Sequence, residues 1–198
     1  MYENGLTMYN TTTTYRPNDF VTREEAAKLV GQLFEVLRFE QTDKGFNCNF
    51  TDSAKFDPTL TAHIAKVCKR GIFRGNDKTQ AYMPHDNLTK GQIFAVLTRI
   101  LEGKMSNETA TPWRIEYYVK MKQIGITNET NLEKIDLPST RGEVALLIYR
   151  FKNLIVTSDG NSNLEKIQSQ LSGDFDAILQ QLLIQRKLAN PDNPLLPT

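Results

Sequence analysis

Three cationic side chains stand where a protein could bind an anion. Arg23, Lys90 and Arg141 each follow a threonine, and Glu or Gln follows that threonine three residues later. This pattern is typical of a helix start, where the threonine oxygen accepts from a backbone N–H group. A cation is unfavourable at this end of the helix dipole, so its presence favours a nearby anion. The alternative is a surface cation paired with a neighbouring glutamate.

The three cations are not equivalent as candidates. A guanidinium offers a planar fork of donors to a carboxylate, whereas an ammonium does not. We therefore expect Arg141 to be the strongest anion-binding candidate, followed by Arg23, with Lys90 the weakest.

The elements that position these cations are predicted to be helices. Apolar residues recur at helical spacing after each threonine, which predicts helices over about 23–39, 89–102 and 140–151. Another helix is predicted to start at Asp57-Pro58 and to end at Gly71, since glycine suits the left-handed conformation that ends many helices. Trp113, Tyr117, Met121 and Ile124 recur at helical spacing and predict a buried stripe on a further helix. The predicted fold class is all-α.

A glycine and a helix start recur together along the chain. Gly5, Gly71 and Gly125 each precede an aliphatic residue, and they precede the threonines by 17, 18 and 15 residues. This recurrence predicts structural repeats. The chain is predicted to have two regions. The first is a repeat region over 1–151, with a partial repeat one over 1–40, repeat two over 48–102 and repeat three over 111–151. The second, over 156–198, is a linker, a helical tail and a Pro-rich end.

The ordered set of motifs resembles the S-layer homology (SLH) repeat. The matching segments are Tyr15-Arg16-Pro17 and Thr22-Arg23-Glu24-Glu25 in repeat one; Phe50-Thr51-Asp52, Gly71-Ile72-Phe73-Arg74-Gly75, Tyr82-Met83-Pro84 and Thr89-Lys90 in repeat two; and Trp113, Gly125-Ile126 and Thr140-Arg141-Gly142-Glu143 in repeat three. The resemblance implies three pseudo-symmetric helix–loop–helix repeats at a cell surface or outside the cell.

The resemblance also implies a ligand. In the family, the arginine after the threonine is expected to bind an acidic, pyruvate-bearing sugar of a secondary cell-wall polysaccharide. Trp113 either stacks on a sugar face or fills the core, and Asp52 either orients the pocket or caps a turn. The expected ligand-binding residues are Arg141, Trp113, Gly125, Arg23, Lys90, Asp52 and Gly71.

Some positions depart from the family pattern. Thr59 stands where repeat two would have Trp, and Lys90 where it would have Arg, which puts ligand binding by that repeat in question. Repeat one starts near Gly5 and lacks its first helix. Either the sequence is cut, or another chain supplies that helix.

Cys48 and Cys68 are the two cysteines of the chain. An even number in a protein expected at a surface favours a disulfide, which would stabilise the fold by about 3 kcal/mol. The alternative is a pair of buried thiols.

The region after residue 156 has no counterpart in the repeats. Its apolar residues recur every three or four positions, the spacing of a helical seam. The seam either docks on the repeats or joins copies of the chain. In the second case the oligomer contacts are Leu171, Phe175, Ile178 and Leu182.

Composition excludes several functional classes. The chain has 24 Lys and Arg against 23 Asp and Glu, without the basic excess typical of a nucleic-acid-binding protein. No apolar run approaches the roughly 20 residues that span a bilayer, and the N-terminus does not resemble a signal peptide. His63 and His85 stand outside any catalytic motif, and no pattern indicates a metal site or a cofactor.

These observations predict a non-catalytic cell-envelope module that binds acidic cell-wall polysaccharide and anchors a surface protein. The alternative is a self-assembling structural subunit of a surface layer or extracellular filament.

Overall fold

A computed structural model describes residues 6–7, 9–37, 45–102, 113–156 and 163–171. Within these ranges the chain forms helices and three isolated β-bridges, and it has no strand. The α-helices are α1 (Thr12–Tyr15), α2 (Arg23–Leu37), α3 (Thr61–Lys69), α4 (Lys90–Glu102), α5 (Trp113–Gln123), α6 (Arg141–Ile155) and α7 (Leu164–Leu171), and short 3-10 helices cover Ser53–Lys55 and Leu132–Asp136. The predicted all-α fold is confirmed.

Reciprocal side-chain caps start α2, α4 and α6. The Oγ1 atom of Thr140 accepts from the N–H group of Glu143, whose carboxylate accepts from the N–H group of Thr140. Thr22 forms the same pair with Glu25, and Thr89 forms it with Gln92. The three predicted helix starts are confirmed.

The loops before these helices meet in a closed ring of backbone hydrogen bonds. The N–H group of Val21 donates to the carbonyl of Ser139 (3.1 Å), Ser139 donates to Leu88 (2.7 Å), and Leu88 donates to Val21 (2.9 Å). All three side chains are fully buried. The bridges Phe20–Thr140, Asn87–Thr22 and Pro138–Thr89 flank this ring. Each bridge pairs a capping threonine with the residue two positions before another capping threonine. The pseudo-symmetry that relates whole repeats stays a prediction.

The second helix of one repeat packs against the first helix of the next. α2 contacts α3, and α4 contacts α5. A Cβ atom on Gly31 would lie 3.2 Å from His63, and one on Gly91 would lie 3.1 Å from Arg114. The glycines therefore allow close approach of the paired helices.

The corresponding face of α6 is open among the described residues. Ala95 and Thr98 lie six and nine positions after Thr89, and both are buried. Leu146 and Tyr149 lie at the same offsets from Thr140, but they are 47% and 45% exposed. No described helix packs on Leu146 and Tyr149 in the way that α5 packs on α4.

The tail helix α7 docks on the repeats. Its residues Ile167 and Leu171 belong to the core, and Gln168 donates to the carbonyl of Leu101 (2.6 Å). Leu171 is thus buried within its own chain, not between chains as the oligomer hypothesis expected. The other predicted oligomer contacts, Phe175, Ile178 and Leu182, lie outside the described residues.

The helix predicted to start at Asp57-Pro58 starts later, at Thr61. The carboxylate of Asp57 accepts from the N–H group (2.8 Å) and hydroxyl (2.7 Å) of Thr59 and so closes a local turn. Short polar side chains often compete with a helix in this way. The other end agrees with the prediction, because Gly71 has a φ of +70°.

Cys48 and Cys68 form the expected disulfide. It links the segment before the first 3-10 helix to α3, and it closes a loop that would stabilise the fold by about 3 kcal/mol.

Substitution of two helix-ending glycines should separate backbone strain from steric overlap. Gly71 and Gly125 have similar φ values of +70° and +75°. A methyl group at Gly71 would overlap the ring of Phe46, whereas one at Gly125 would have no neighbour within 4 Å. We expect Gly125→Ala to lower the unfolding free energy by about 1 kcal/mol, and Gly71→Ala to lower it by about 1–3 kcal/mol more. Urea unfolding measures both, and equal losses would show that the Phe46 ring moves aside freely.

Candidate functional site

The first-turn N–H groups of the three long repeat helices are already in use. Arg23 donates its backbone N–H to the carbonyl of Asp86 (3.0 Å), Lys90 to Leu137 (3.2 Å) and Arg141 to Asp19 (2.8 Å). These acceptors belong to the neighbouring repeat. The sequence had suggested an anion on these N–H groups, but a ligand at these positions would instead have to be held by side chains.

Lys90 is balanced by carboxylates. Its Nζ atom lies 2.8 Å from Glu143 and 4.0 Å from Glu129, and its side chain is 17% exposed. Burial raises the pKa of Glu143, but hydrogen bonds from Lys90 and Thr140 outweigh that effect, so this pKa lies below its ordinary value. The charge of Lys90 is therefore neutralised within the chain.

Arg141 also has a carboxylate partner. Its Nη1 atom lies 2.8 Å from Glu25, and its Nε–H group donates to the carbonyl of Tyr15 (2.8 Å). The guanidinium carbon lies 5.1 Å from the centre of the Tyr15 ring and 6.0 Å from that of Tyr9. Arg141, Glu25 and Tyr9 border a groove of about 200 Å³. Glu25 therefore supplies an anion beside Arg141 from within the chain.

Arg23 is different because no carboxylate of the described chain pairs with it. Its Nε–H group donates to the carbonyl of Tyr82 (2.9 Å), and Nη2 donates to that of Arg74 (2.9 Å). The guanidinium lies 5.0 Å from the centre of the Tyr82 ring and 5.8 Å from that of Phe73. Burial lowers the pKa of Arg23, but an arginine still keeps its charge at neutral pH. A buried cation here is held by carbonyl dipoles and ring faces.

The loop beside Arg23 is held by Asp52. The carboxylate accepts from the N–H groups of Tyr82 (2.8 Å) and Met83 (2.8 Å). Met83 has a φ of +60°, a left-handed conformation that costs a non-glycine residue roughly 1–2 kcal/mol. Arg16 occupies the same place in Tyr15-Arg16-Pro17 and has a φ of +53°. Asp52 thus acts on the groove through the loop, by stabilising this strained conformation.

A groove of about 310 Å³ brings the cation and the tryptophan together. Arg23 comes from repeat one, Arg74 and Arg99 from repeat two, and Trp113 from repeat three. Trp113 is only partly buried, and its ring packs edge-on against Tyr117 at a centroid distance of 5.7 Å. It therefore contacts the core and lines the groove at the same time.

The predicted stripe on α5 is otherwise internal. Tyr117, Met121 and Ile124 are all buried. Trp113 is the member of this stripe that reaches the groove.

Sequence reasoning missed several groove residues. Arg74 and Gly75 lie in the Gly71-to-Gly75 motif, which was the signal that could have identified them. A Cβ atom on Gly75 would lie 2.9 Å from the carbonyl oxygen of Ala81, so a larger residue would collide with the backbone. Arg99 lies on α4, where only its helical spacing from Gln92 relates it to the groove.

Gly71 and Gly125 end α3 and α5 in the left-handed conformation. Neither glycine is among the residues that line this groove. Their role in ligand binding stays a prediction.

The described ranges lack two further classes of site. They contain no cluster of His, Cys, Asp or Glu suited to a metal ion. None of their helices combines the length and apolar character that a membrane crossing requires.

Replacement of Asp52 should weaken the fold in a pH-dependent way. Burial raises the pKa of Asp52, but the N–H groups of Tyr82 and Met83 lower it by more, so the net pKa is below its ordinary value. Its ionised form therefore adds stability above about pH 4, the unfolded-state pKa, and this contribution disappears as the pH falls through the folded-state pKa. We expect Asp52→Asn to lose about 1–3 kcal/mol at pH 7 and less at pH 3.

Urea unfolding at both pH values tests this expectation. Asp57→Asn is the comparison variant, because the carboxylate of Asp57 also has a lowered pKa but accepts its hydrogen bonds from Thr59 within one local turn. A loss for Asp52→Asn that does not change with pH would contradict the account.

Comparison with known proteins agrees with these motifs. The S-layer homology domain family matches residues 1–27. The chain is also 28% identical, over 196 residues, to the surface-layer 125 kDa protein of Lysinibacillus sphaericus, an alignment that covers 88% of this chain and 16% of that protein. The chain thus spans about a sixth of the length of this relative. Its three capped helix starts and its repeated glycine and Tyr-x-Pro loops are similar to the motifs of the S-layer homology domain family, whose model matches residues 1–27.

Proposed function

We propose that this protein is a non-catalytic module of the cell envelope that binds an acidic, pyruvate-bearing cell-wall polysaccharide and so anchors a protein at the cell surface. Both comparisons support a role at the surface layer, since one match is the S-layer homology domain and the other is a surface-layer protein. The ligand itself rests on the geometry of the groove.

The observation that carries the proposal is the buried charge of Arg23. This side chain is 6% exposed, yet no described carboxylate pairs with it. A buried charge is expensive unless it is paired and hydrogen-bonded. Arg141 and Lys90 already have carboxylate partners. An external anion would therefore stabilise Arg23 more than it would stabilise either of the other two cations.

The rest of the groove suits a charged sugar. Arg99 adds positive charge near Arg23, and Arg74 also lines the groove, where its guanidinium is paired with the exposed carboxylate of Asp77 (2.9 Å). A ligand carboxylate can accept charge-assisted hydrogen bonds from such guanidinium groups. The partly exposed face of Trp113 offers an apolar surface to a sugar ring.

This geometry changes the order of the candidates. Sequence reasoning placed Arg141 ahead of Arg23, whereas the contacts favour Arg23 because Glu25 already neutralises Arg141. Lys90 stays last, since two glutamates surround it.

A second candidate function is a self-assembling subunit of a surface layer or filament. The exposed pair Leu146 and Tyr149 on α6 favours it, because the equivalent positions on α4 are buried. In this alternative a second copy of the chain covers that face.

Substitutions at the two arginines should affect glycan binding unequally. We expect Arg23→Gln to weaken binding to purified cell-wall sacculi by about 10- to 100-fold, since a charge-assisted hydrogen bond contributes about 1.5–3 kcal/mol. Arg141→Gln should weaken it by less than about threefold, because it removes a charge that is already paired. Quantitative co-sedimentation over a range of protein concentrations measures both.

Trp113→Phe provides a second variant in the lining of the groove, and it should also weaken binding. Thermal melts of each variant show whether the fold is kept. Parent protein that does not bind sacculi would overturn the proposal, and loss of binding confined to Arg141→Gln would place the ligand in the other groove.

Self-association is tested by light scattering at increasing protein concentration. If copies cover the α6 face, the parent should form particles larger than a monomer, and Leu146→Glu should remain monomeric because it places a charge in the apolar contact. Lys152→Glu, a change at another position on the same helix, is the control. A monomeric parent at all concentrations would exclude the second candidate.

A further inference from the structure

Arg74 is oriented by contacts on both sides of its guanidinium. The guanidinium carbon lies 5.6 Å from the centre of the Phe46 ring, and Nη2 lies 2.9 Å from Asp77. The backbone carbonyl of Arg74 also accepts from Arg23. Arg74 is therefore connected to the candidate anion site through its backbone and borders the groove with its side chain.

Phe46 in turn is held at a fixed place. Its ring packs so closely on Gly71 that any Cβ atom there would overlap it. Two residues later, the disulfide from Cys48 to Cys68 fastens the same segment to α3. Residues 45–50 form no helix or strand. These contacts hold Phe46 beside Arg74, while the buried ring of Phe50, packed on Tyr82, anchors the end of the segment.

We propose that Phe46 is a positioning residue for Arg74, that Arg74 is a second cationic contact of the bound carboxylate, and that the Cys48–Cys68 disulfide makes this contact sensitive to reduction. The inference rests on the proposed function of the groove. It assigns this chain a redox-dependent affinity for its acidic ligand.

Phe46 affects ligand binding because its ring and the carboxylate of Asp77 compete for the Arg74 guanidinium. A guanidinium over an aromatic face is attracted by the electrons of the ring, which favours one position of the side chain. Asp77 is 79% exposed and draws the same guanidinium towards solvent. Without the ring of Phe46, the long side chain regains rotamer freedom, and the ligand must then order it on binding. An external dithiol that reduces the disulfide is itself oxidised to a disulfide and leaves Cys48 and Cys68 as two thiols. The covalent attachment next to Phe46 is then lost, so its ring holds the Arg74 guanidinium less firmly.

Trp113 provides a direct readout, because it is the single tryptophan of the chain and it lines the groove. The probe is a methyl glycoside that bears a pyruvate ketal, titrated while tryptophan fluorescence is followed. The variants are Phe46→Leu, Phe46→Tyr, Arg74→Gln and the double variant Phe46→Leu/Arg74→Gln. Each titration is repeated after reduction with dithiothreitol.

We expect Arg74→Gln to weaken probe binding about tenfold, and Phe46→Leu about two- to fivefold. Phe46→Tyr keeps a ring over the guanidinium and should bind as the parent does. Phe46→Leu and reduction should have no further effect once Arg74 is Gln, because both act through that side chain. If Phe46 had only a structural role, Phe46→Leu would weaken probe binding equally whether residue 74 is Arg or Gln.

The outcomes separate the inference from the function on which it rests. A parent protein that does not bind the probe overturns both. A parent that binds, with affinity unchanged by Arg74→Gln or with equal Phe46→Leu effects in both backgrounds, overturns the inference alone. If Phe46→Leu does not fold, reduction of the parent and of Arg74→Gln makes the same comparison.

Discussion

The closed ring of backbone hydrogen bonds among Val21, Leu88 and Ser139 is the constraint on which the rest of the structure depends. Backbone donors and acceptors that are buried must be paired, and here each repeat pairs with another. The ring brings three helix starts to one centre. It also explains why the residue after each capping threonine lies against a neighbouring repeat, since its own N–H group donates to that neighbour's loop.

The same framework then produces three different sites. The positions of Arg23, Lys90 and Arg141 relative to the ring are equivalent, but their surroundings are not. Glu25 pairs with Arg141, and glutamates surround Lys90, whereas carbonyl oxygens and aromatic rings surround Arg23. Because the carboxylates that balance Lys90 and Arg141 come from another repeat, the number of repeats does not by itself determine the number of ligand sites.

Local features of the fold could be predicted from the sequence, and features that depend on distant residues could not. The capping pairs and the left-handed Gly71 follow from residues three or four positions apart. The pairing of Arg141 with Glu25 could not be predicted, because the two residues are separated by 116 positions and no local pattern relates them. Arg99 was missed for the same reason. The Asp-Pro pattern predicted the start of α3 too early, because the Asp57 side chain forms a local turn with Thr59 instead. The burial of Leu171 depends on where α7 docks.

The most direct measurement of where the ligand binds is a nuclear magnetic resonance titration that follows the Trp113 indole N–H and the arginine Nε–H signals while the pyruvate-bearing glycoside is added. The account predicts that the signals of Trp113, Arg23 and Arg74 shift together and saturate at one ligand concentration, with that of Arg141 unchanged. A saturating shift at Arg141, with Trp113 and Arg23 unchanged, would contradict it.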